Sequence, residues 1–426
     1  MTASPIGKRF AAHAVPLGPW AERAGYPIRH QPLEGRVPDS LLDPTVRRPW
    51  SRVQTELLAK HNEGYLVVEA GPVDIVLHDW TDERGTNATA YLFSTKGDLY
   101  IEDPHWLTIL NGQGPIFQVL DAATSKVFFD LSACATVVEV DEPYLYLGGH
   151  DNFGHWMCEI VARLMGVCRQ ASDLLDLPFL FDKLTEPQRA FLRHLGFENP
   201  IRILQAPGAR TYAYRFRHLF IAALPPCTFS FPLMHERIRR TTNDAKDGTG
   251  GRYFLSRRQL VPRHRIANEA AIETCLKAFG FETHLSDVFD PIADMRRIGQ
   301  AEMLVLPYGA ALGNLPMTGP ECQIIVLGPD FLLTDRFEHP VLHYSRRYLF
   351  PFLDRLQLIP GTLPPNQPSP IDDRGDLHIN LLQFDVPYVY RVEALAMAVL
   401  NAEKRLGRVH RSGSLAFGEK AGEAGR

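Results

Sequence analysis

The chain has 426 residues, more than one hydrophobic core usually supports, so two domains are expected. Its 45% hydrophobic and 22% charged content is that of a folded globular protein. The formal charge of −4 excludes a general attraction for nucleic acid or anionic lipid, so any phosphate contact must be local.

Taken in chain order, residues 1–60 carry many prolines and glycines without a sustained period and predict an irregular N-terminal arm. The first twenty lack the continuous apolar core of a signal peptide, and no later stretch reaches the ~18 apolar residues that span a bilayer. A cytoplasmic protein without a transmembrane segment is expected, with room for peripheral membrane contact. From Tyr65 to Leu147 short β-rich runs (YLVVEA, VDIVLH, TAYLF, IFQVL, KVFFD, TVVEV, YLYLG) alternate with turn formers and predict an antiparallel or mixed sheet. After Gly148 the rhythm changes to α/β, with a helix over 153–169, strand PFLF, a helix over 187–195, and strands IRIL and HLFIAAL. Residues 61–240 thus read as a β-rich and Rossmann-like domain. A Gly- and Asp-rich linker, 241–251, follows.

Residues 252–360 form the cleanest α/β pattern. Strand RYFLS leads to a helix capped by Asn268, with Glu269 at its positive end and Gly280 stopping it. Strand FETHL, a helix opening at Asp290-Pro291, strand EMLVLP, a small-residue loop at 308–314 and strand QIIVLG complete it. Strands separated by helices at this spacing give a parallel, doubly wound sheet. Residues 361–426 read as a C-terminal extension with a partly disordered tail. The six cysteines show no CxxC spacing, so neither a disulfide framework nor a zinc ribbon is expected.

Ligands of open parallel sheets lie beyond the carboxyl ends of the strands. Strand 252–256 ends in Ser256-Arg257-Arg258, followed by Arg263 and Arg265, four guanidinium groups in one loop. Strand 302–307 ends in Tyr308-Gly309-Ala310-Ala311-Leu312-Gly313-Asn314, where small side chains let a phosphate approach backbone N–H groups. Together they describe a diphosphate site, with Asn268, Glu269 and Asn314 either touching the nucleotide or serving as caps. Taken singly, each pattern fits a solvated surface or close helix packing equally well. In GGHDNFGHWMCEIVARL (148–164), His155, Glu159 and Arg163 are four apart and share one helix face, with Asp151 and Asn152 at the cap. A histidine held by a carboxylate is a general base for neutral pH, and His150 is close enough to compete for that role. Two ligands are too few for zinc, so no metal site is read.

Asn152-Phe153-Gly154-His155-Trp156 with Glu159, Leu255-Ser256-Arg257 with Arg265-Ile266-Ala267-Asn268-Glu269, and Tyr308 to Asn314 occur in an order and at distances that resemble glycosyltransferase family 61. Its bacterial members are described as capsular polysaccharide biosynthesis proteins. The resemblance covers about 148–330. It implies a GT-B-type fold of two Rossmann-like domains facing a cleft, an acceptor side in 61–240 and a donor side in 252–360. It further implies inversion at the anomeric carbon, a nucleotide diphosphate sugar as co-substrate, a glycan or lipid-linked glycan acceptor, no obligatory metal and no other cofactor. On this resemblance His155, Glu159 and Asp151 carry the catalysis, and Ser256, Arg257, Arg265, Asn268, Glu269, Tyr308, Gly309, Ala310, Ala311, Leu312 and Asn314 bind the donor. The chain departs from the family where Tyr308 replaces histidine and Glu159 replaces aspartate. The rival expectations are a non-catalytic nucleotide- or glycan-binding member of a polysaccharide assembly, and another enzyme class on the same scaffold.

Overall fold

The computed structural model describes residues 6, 8–33, 37, 39–43, 50–82, 85–102, 117–121, 124–132, 134, 137–205, 211–242, 250–259, 266–285, 290–332, 340–364 and 387–407. They build a mixed α/β structure with three sheets. Among the described residues no helix is long and apolar enough to cross a membrane.

The first sheet is mixed and eight-stranded, in the order Phe117–Asp121, Lys126–Asp130, Arg9–Val15, Leu99–Tyr100, Gly85–Phe93, Val73–Asp82, Thr211–Phe216, Val137–Val140. Lys126–Asp130 alternates outward and inward as a half-buried strand must, and its Phe129 meets Phe93 edge to face at 4.9 Å.

The second sheet runs Ile201–Ile203, Phe179–Phe181, Tyr144–Gly148, Leu219–Ala222, Tyr65–Ala70, Ile28–Gln31. Its first four strands are parallel and the last two antiparallel. The third sheet runs Glu282–Leu285, Arg252–Ser256, Met303–Pro307, Gln323–Pro329, Leu356–Thr362, all parallel, with Val389–Tyr390 antiparallel at its edge. Strands Met303–Pro307 and Gln323–Pro329 are buried at every position, which is why they read as unbroken apolar runs.

Several expectations need correction. Residues 1–60 are not an irregular arm, for they hold strands of two sheets and helices Leu17–Ala24 and Trp50–Glu63. Their prolines and glycines punctuate element ends, Pro16 before the first helix and Gly25 after it. Within the extension after 360, residues 387–407 belong to the fold, and the tail from 408 lies outside the described residues. Val389–Tyr390 completes the third sheet, and helix Val392–Arg405 is tied to strand Arg252–Ser256 of that sheet by Arg252 Nη1 to Glu403 Oε1 at 2.7 Å. Of the linker expected over 241–251, Thr241 still belongs to helix Cys227–Thr241 and Thr242 is buried. Residues 243–249 fall outside the described residues. One apolar cluster continues from Leu145 and Trp156 through Met234 to Val305 and Leu315, so the second and third sheets share a core.

Candidate active site

Strand Tyr144–Gly148 ends on Gly148 at φ 83, a conformation that side chains rarely adopt, and the chain turns there into the histidine segment. Asn152 caps the next helix, its Oδ1 accepting from Gly154 N at 2.9 Å and His155 N at 3.5 Å. The single helix expected over 153–169 is instead three pieces, an α-turn Phe153–His155, a π-helical turn Trp156–Val161 and helix Ala162–Gln170. Such wide turns are often found at functional positions. His155 Nδ1 lies 2.5 Å from Glu159 Oε1. Burial pushes the Glu159 carboxyl up, but His155, His150 and Arg163 outweigh it and hold the group below its ordinary range. His150 stacks on His155 with ring centroids 4.3 Å apart and accepts at Nδ1 from Asn152 N–H at 2.9 Å.

Two members of this segment point elsewhere. Asp151 leaves the cap to Asn152 and pairs with Lys183 Nζ at 2.7 Å, so that His150 and Lys183 hold its carboxyl well below the usual range. Arg163 turns from the shared face to donate to Leu147 O at 2.7 Å and Glu102 Oε2 at 2.5 Å. The other oxygen of Glu102 accepts from Leu224 N at 3.0 Å, and Tyr100 donates its hydroxyl to the same carboxylate. Glu102 has no local motif, and only the fold brings it to Arg163.

On the other side, Ser256 is wholly buried and its Oγ accepts from Arg258 N at 3.3 Å, bracing the turn after the strand. Arg257 is buried, whereas Arg258 faces outward in a two-pronged bond to Glu273 at 2.7 and 2.8 Å and leaves the expected cluster. Arg263 and Arg265 lie outside the described residues. Asn268 is not a side-chain cap. Its amide donates to Tyr390 O at 2.8 Å and accepts from Tyr390 N at 3.0 Å, fastening the edge strand. Glu269 is buried at the start of its helix. Tyr308 is buried and hydrogen-bonds Ser345 through its hydroxyl. Gly309, at φ 112, lets the chain enter a 3-10 helix, Ala310–Met317, in which Ala311, Leu312 and Asn314 are buried. Asn314 Nδ2 donates to Ala311 O at 2.9 Å.

The two halves of the site touch. A Cβ added at Gly313 would lie 2.9 Å from Gly154 Cα and 3.0 Å from Phe153 O, and one at Gly154 would lie 3.1 Å from Ala310 Cα. The small residues therefore serve first to let the turn bearing His155 meet the 3-10 helix backbone to backbone. Strand order also reverses at this place in the third sheet, between Arg252–Ser256 and Met303–Pro307, where parallel sheets carry ligands.

Residues 153–325, which span both halves of this joint, match the family model Glycosyltransferase 61. This segment is similar to the glycosyltransferase 61 family over about two fifths of the chain. No curated protein matches the chain. Two similar solved structures are of one protein. The dodecameric iron-containing heptosyltransferase TibC in complex with ADP-D-beta-D-heptose is 6% identical, with 62% of this chain and 75% of that one covered at TM-score 0.27. TibC from enterotoxigenic E. coli H10407 is 8% identical, with the same coverage at TM-score 0.25. Scores this low carry no argument for fold or ligand.

The matched segment contains a further, partly buried acid that no motif signals. Asp182, after strand Phe179–Phe181, is pushed up to about 7 by burial, against the Tyr146 hydroxyl that donates to its Oδ2 at 2.7 Å and the charge of Arg163. A carboxyl with a raised folded-state pKa holds its proton longer than the unfolded chain does. Stability is therefore lost as pH climbs from about 4, the unfolded value, to about 7, and is level beyond. Asp182→Asn mimics the protonated form and is expected to gain on wild type by roughly 2–3 kcal/mol between pH 5 and pH 8 in denaturant titrations. A difference that does not change with pH would show that Asp182 is not held as an acid.

Proposed function

We propose that the chain is an inverting glycosyltransferase that moves a sugar from a nucleotide diphosphate sugar to a hydroxyl of a glycan or lipid-linked glycan. The observation that carries this reading is the contact of Gly154 with Ala310 and Gly313, which sets the His155–Glu159 pair against the loop after Met303–Pro307. In this reading the halves built on the second and third sheets are the acceptor and donor sides of a GT-B-type enzyme. It works in the cytoplasm, on surface polysaccharide of the capsular kind.

His155 Nδ1 is engaged by Glu159, so Nε2 is the nitrogen that takes the acceptor's proton. The freed oxygen attacks the anomeric carbon in line, the bond from that carbon to the phosphate oxygen breaks, and the electron pair leaves with the diphosphate. Arg257, Arg265 and the backbone N–H groups of 309–311 offset the charge that develops there, so that no metal is required. Ser256 and Asn268 hold the surrounding turns, and Tyr308, braced by Ser345, stands where the family has histidine. Asp151, paired with Lys183, shapes the mouth of the base loop.

Arg257→Ala is expected to weaken nucleoside diphosphate binding about 10- to 100-fold, the loss of a charge-assisted contact, as read by calorimetry. Unchanged affinity would remove Arg257 from the donor site.

A further inference from the structure

Resting on the reading of His155 as the base, we infer that Gln188 is its positioning residue and acts through His150. Thr185 to Gln188 opens helix Glu186–His194 with a reciprocal cap, in which Thr185 Oγ1 accepts from Gln188 N at 3.4 Å and Gln188 Oε1 accepts from Thr185 N at 2.9 Å. That cap occupies only the oxygen of the side-chain amide. Its nitrogen, Nε2, donates to His150 O at 2.7 Å, reaching back 38 residues to the loop that carries the histidines. The two bonds fix which way the amide faces, because turning it over would set an N–H against Thr185 N–H and an oxygen against His150 O.

Other ties reach the same loop. Asp182 N donates to Gly148 O at 3.1 Å, and the missing side chain at Gly149 lets the loop lie against the Lys183 backbone, so main chain alone supplies both. Lys183 Nζ meets Asp151 Oδ2 at 2.7 Å, but these side chains are 38% and 52% exposed, and an ion pair so open to water holds little. Gln188 is 4% exposed, so its bond to His150 O is shielded from water and is the firm side-chain tie. It falls where it governs the base. The His150 side chain is 41% exposed, yet its ring lies 4.3 Å from that of His155 at an interplanar angle of 15°, and its Nδ1 accepts from Asn152 N at 2.9 Å. The stacked ring covers one face of His155 while Glu159 engages Nδ1 at 2.5 Å, which leaves Nε2 on the open edge. A buried amide thus sets the ring that sets the base.

Two substitutions separate the tie from the cap. In Gln188→Glu an oxygen remains for Thr185 N–H, as capping boxes commonly have it, and the donor to His150 O is lost. Thr185→Ala is the converse, since it removes Oγ1 and leaves the amide bond to His150. The readouts are the imidazole carbon–proton NMR signals of His150 and His155, the urea midpoint, and hydrolysis of UDP-, GDP- and dTDP-glucose, in which water stands in for the acceptor. In Gln188→Glu both ring signals are expected to move, and kcat to fall about 10- to 100-fold with KM for the donor within about twofold. In Thr185→Ala the midpoint is expected to fall while ring signals and kcat hold. Ring signals that stay in place in Gln188→Glu, or that move with kcat unchanged, overturn the inference. Should Gln188→Glu not fold, Gln188→Met must give the same movement and loss, with Thr185→Ala as the reference for the lost cap. Wild type without turnover counts against the transfer reading and not against Gln188, whose hold on the histidine pair the ring signals then decide alone.

Discussion

His155→Ala is expected to lower sugar transfer by about 10²–10⁴-fold, the usual contribution of a positioned base, while nucleoside diphosphate affinity changes by less than about twofold. The split follows from placement. His155 is partly exposed beside the joint and holds Glu159 at 2.5 Å, but it belongs to the second sheet's side and not to the strand ends proposed to hold the diphosphate. Loss of the base should therefore appear in turnover and not in donor binding. A radiolabelled transfer assay with matched calorimetry reads both. Transfer at near wild-type rate would transfer the role to His150, stacked 4.3 Å away, or dismiss the proposed chemistry.

Removing Glu102 is expected to destabilise the protein by about 3 kcal/mol, near the lower end for breaking a buried ion pair because this carboxylate is itself partly exposed. Glu102→Ala would strand the Arg163 guanidinium, whose side chain is 9% exposed, and would leave Leu224 N–H without its acceptor. The carboxylate follows strand Leu99–Tyr100 of the first sheet and takes the Tyr100 hydroxyl there, yet it also binds Arg163 and Leu224 N–H, on the helix and the strand-end loop of the second sheet. One residue thus joins the β-rich part to the scaffold under the base. The measurement is equilibrium denaturation, and an unmoved midpoint would show that the pair contributes nothing. Glu102→Gln keeps an acceptor for Leu224 and should lose less.

The third sheet was legible in the sequence because parallel strands buried on both faces are written as continuous apolar runs, such as MLVLP and QIIVLG. The first sheet was legible as strands but not as a sheet. Thr211–Phe216 returns to it from within the α/β region and pairs Tyr214 with Ile75, a partner far away in the chain that no local pattern names. In the site, the i,i+4 spacing of His155 and Glu159 foretold their contact, but it could not foretell a π-helical turn, since the pair has the same spacing in either helix. Arg257 and Arg258 show the limit from the other side. The chain turns at Arg258, just past the strand, so one guanidinium is buried and the other meets Glu273 outside. Asn268 had every mark of a cap, and a long-range backbone partner, Tyr390, outbid the local one.

The glycine seam at 154 and 313 has a practical corollary for altering what this protein accepts. With no side chain between the two backbones, there is nothing to absorb a tilt, and a displacement of one half is handed undamped to the groups that must line up for reaction. Chimeras that exchange the half built on the second sheet should keep both glycines and the turn around each as one inherited unit.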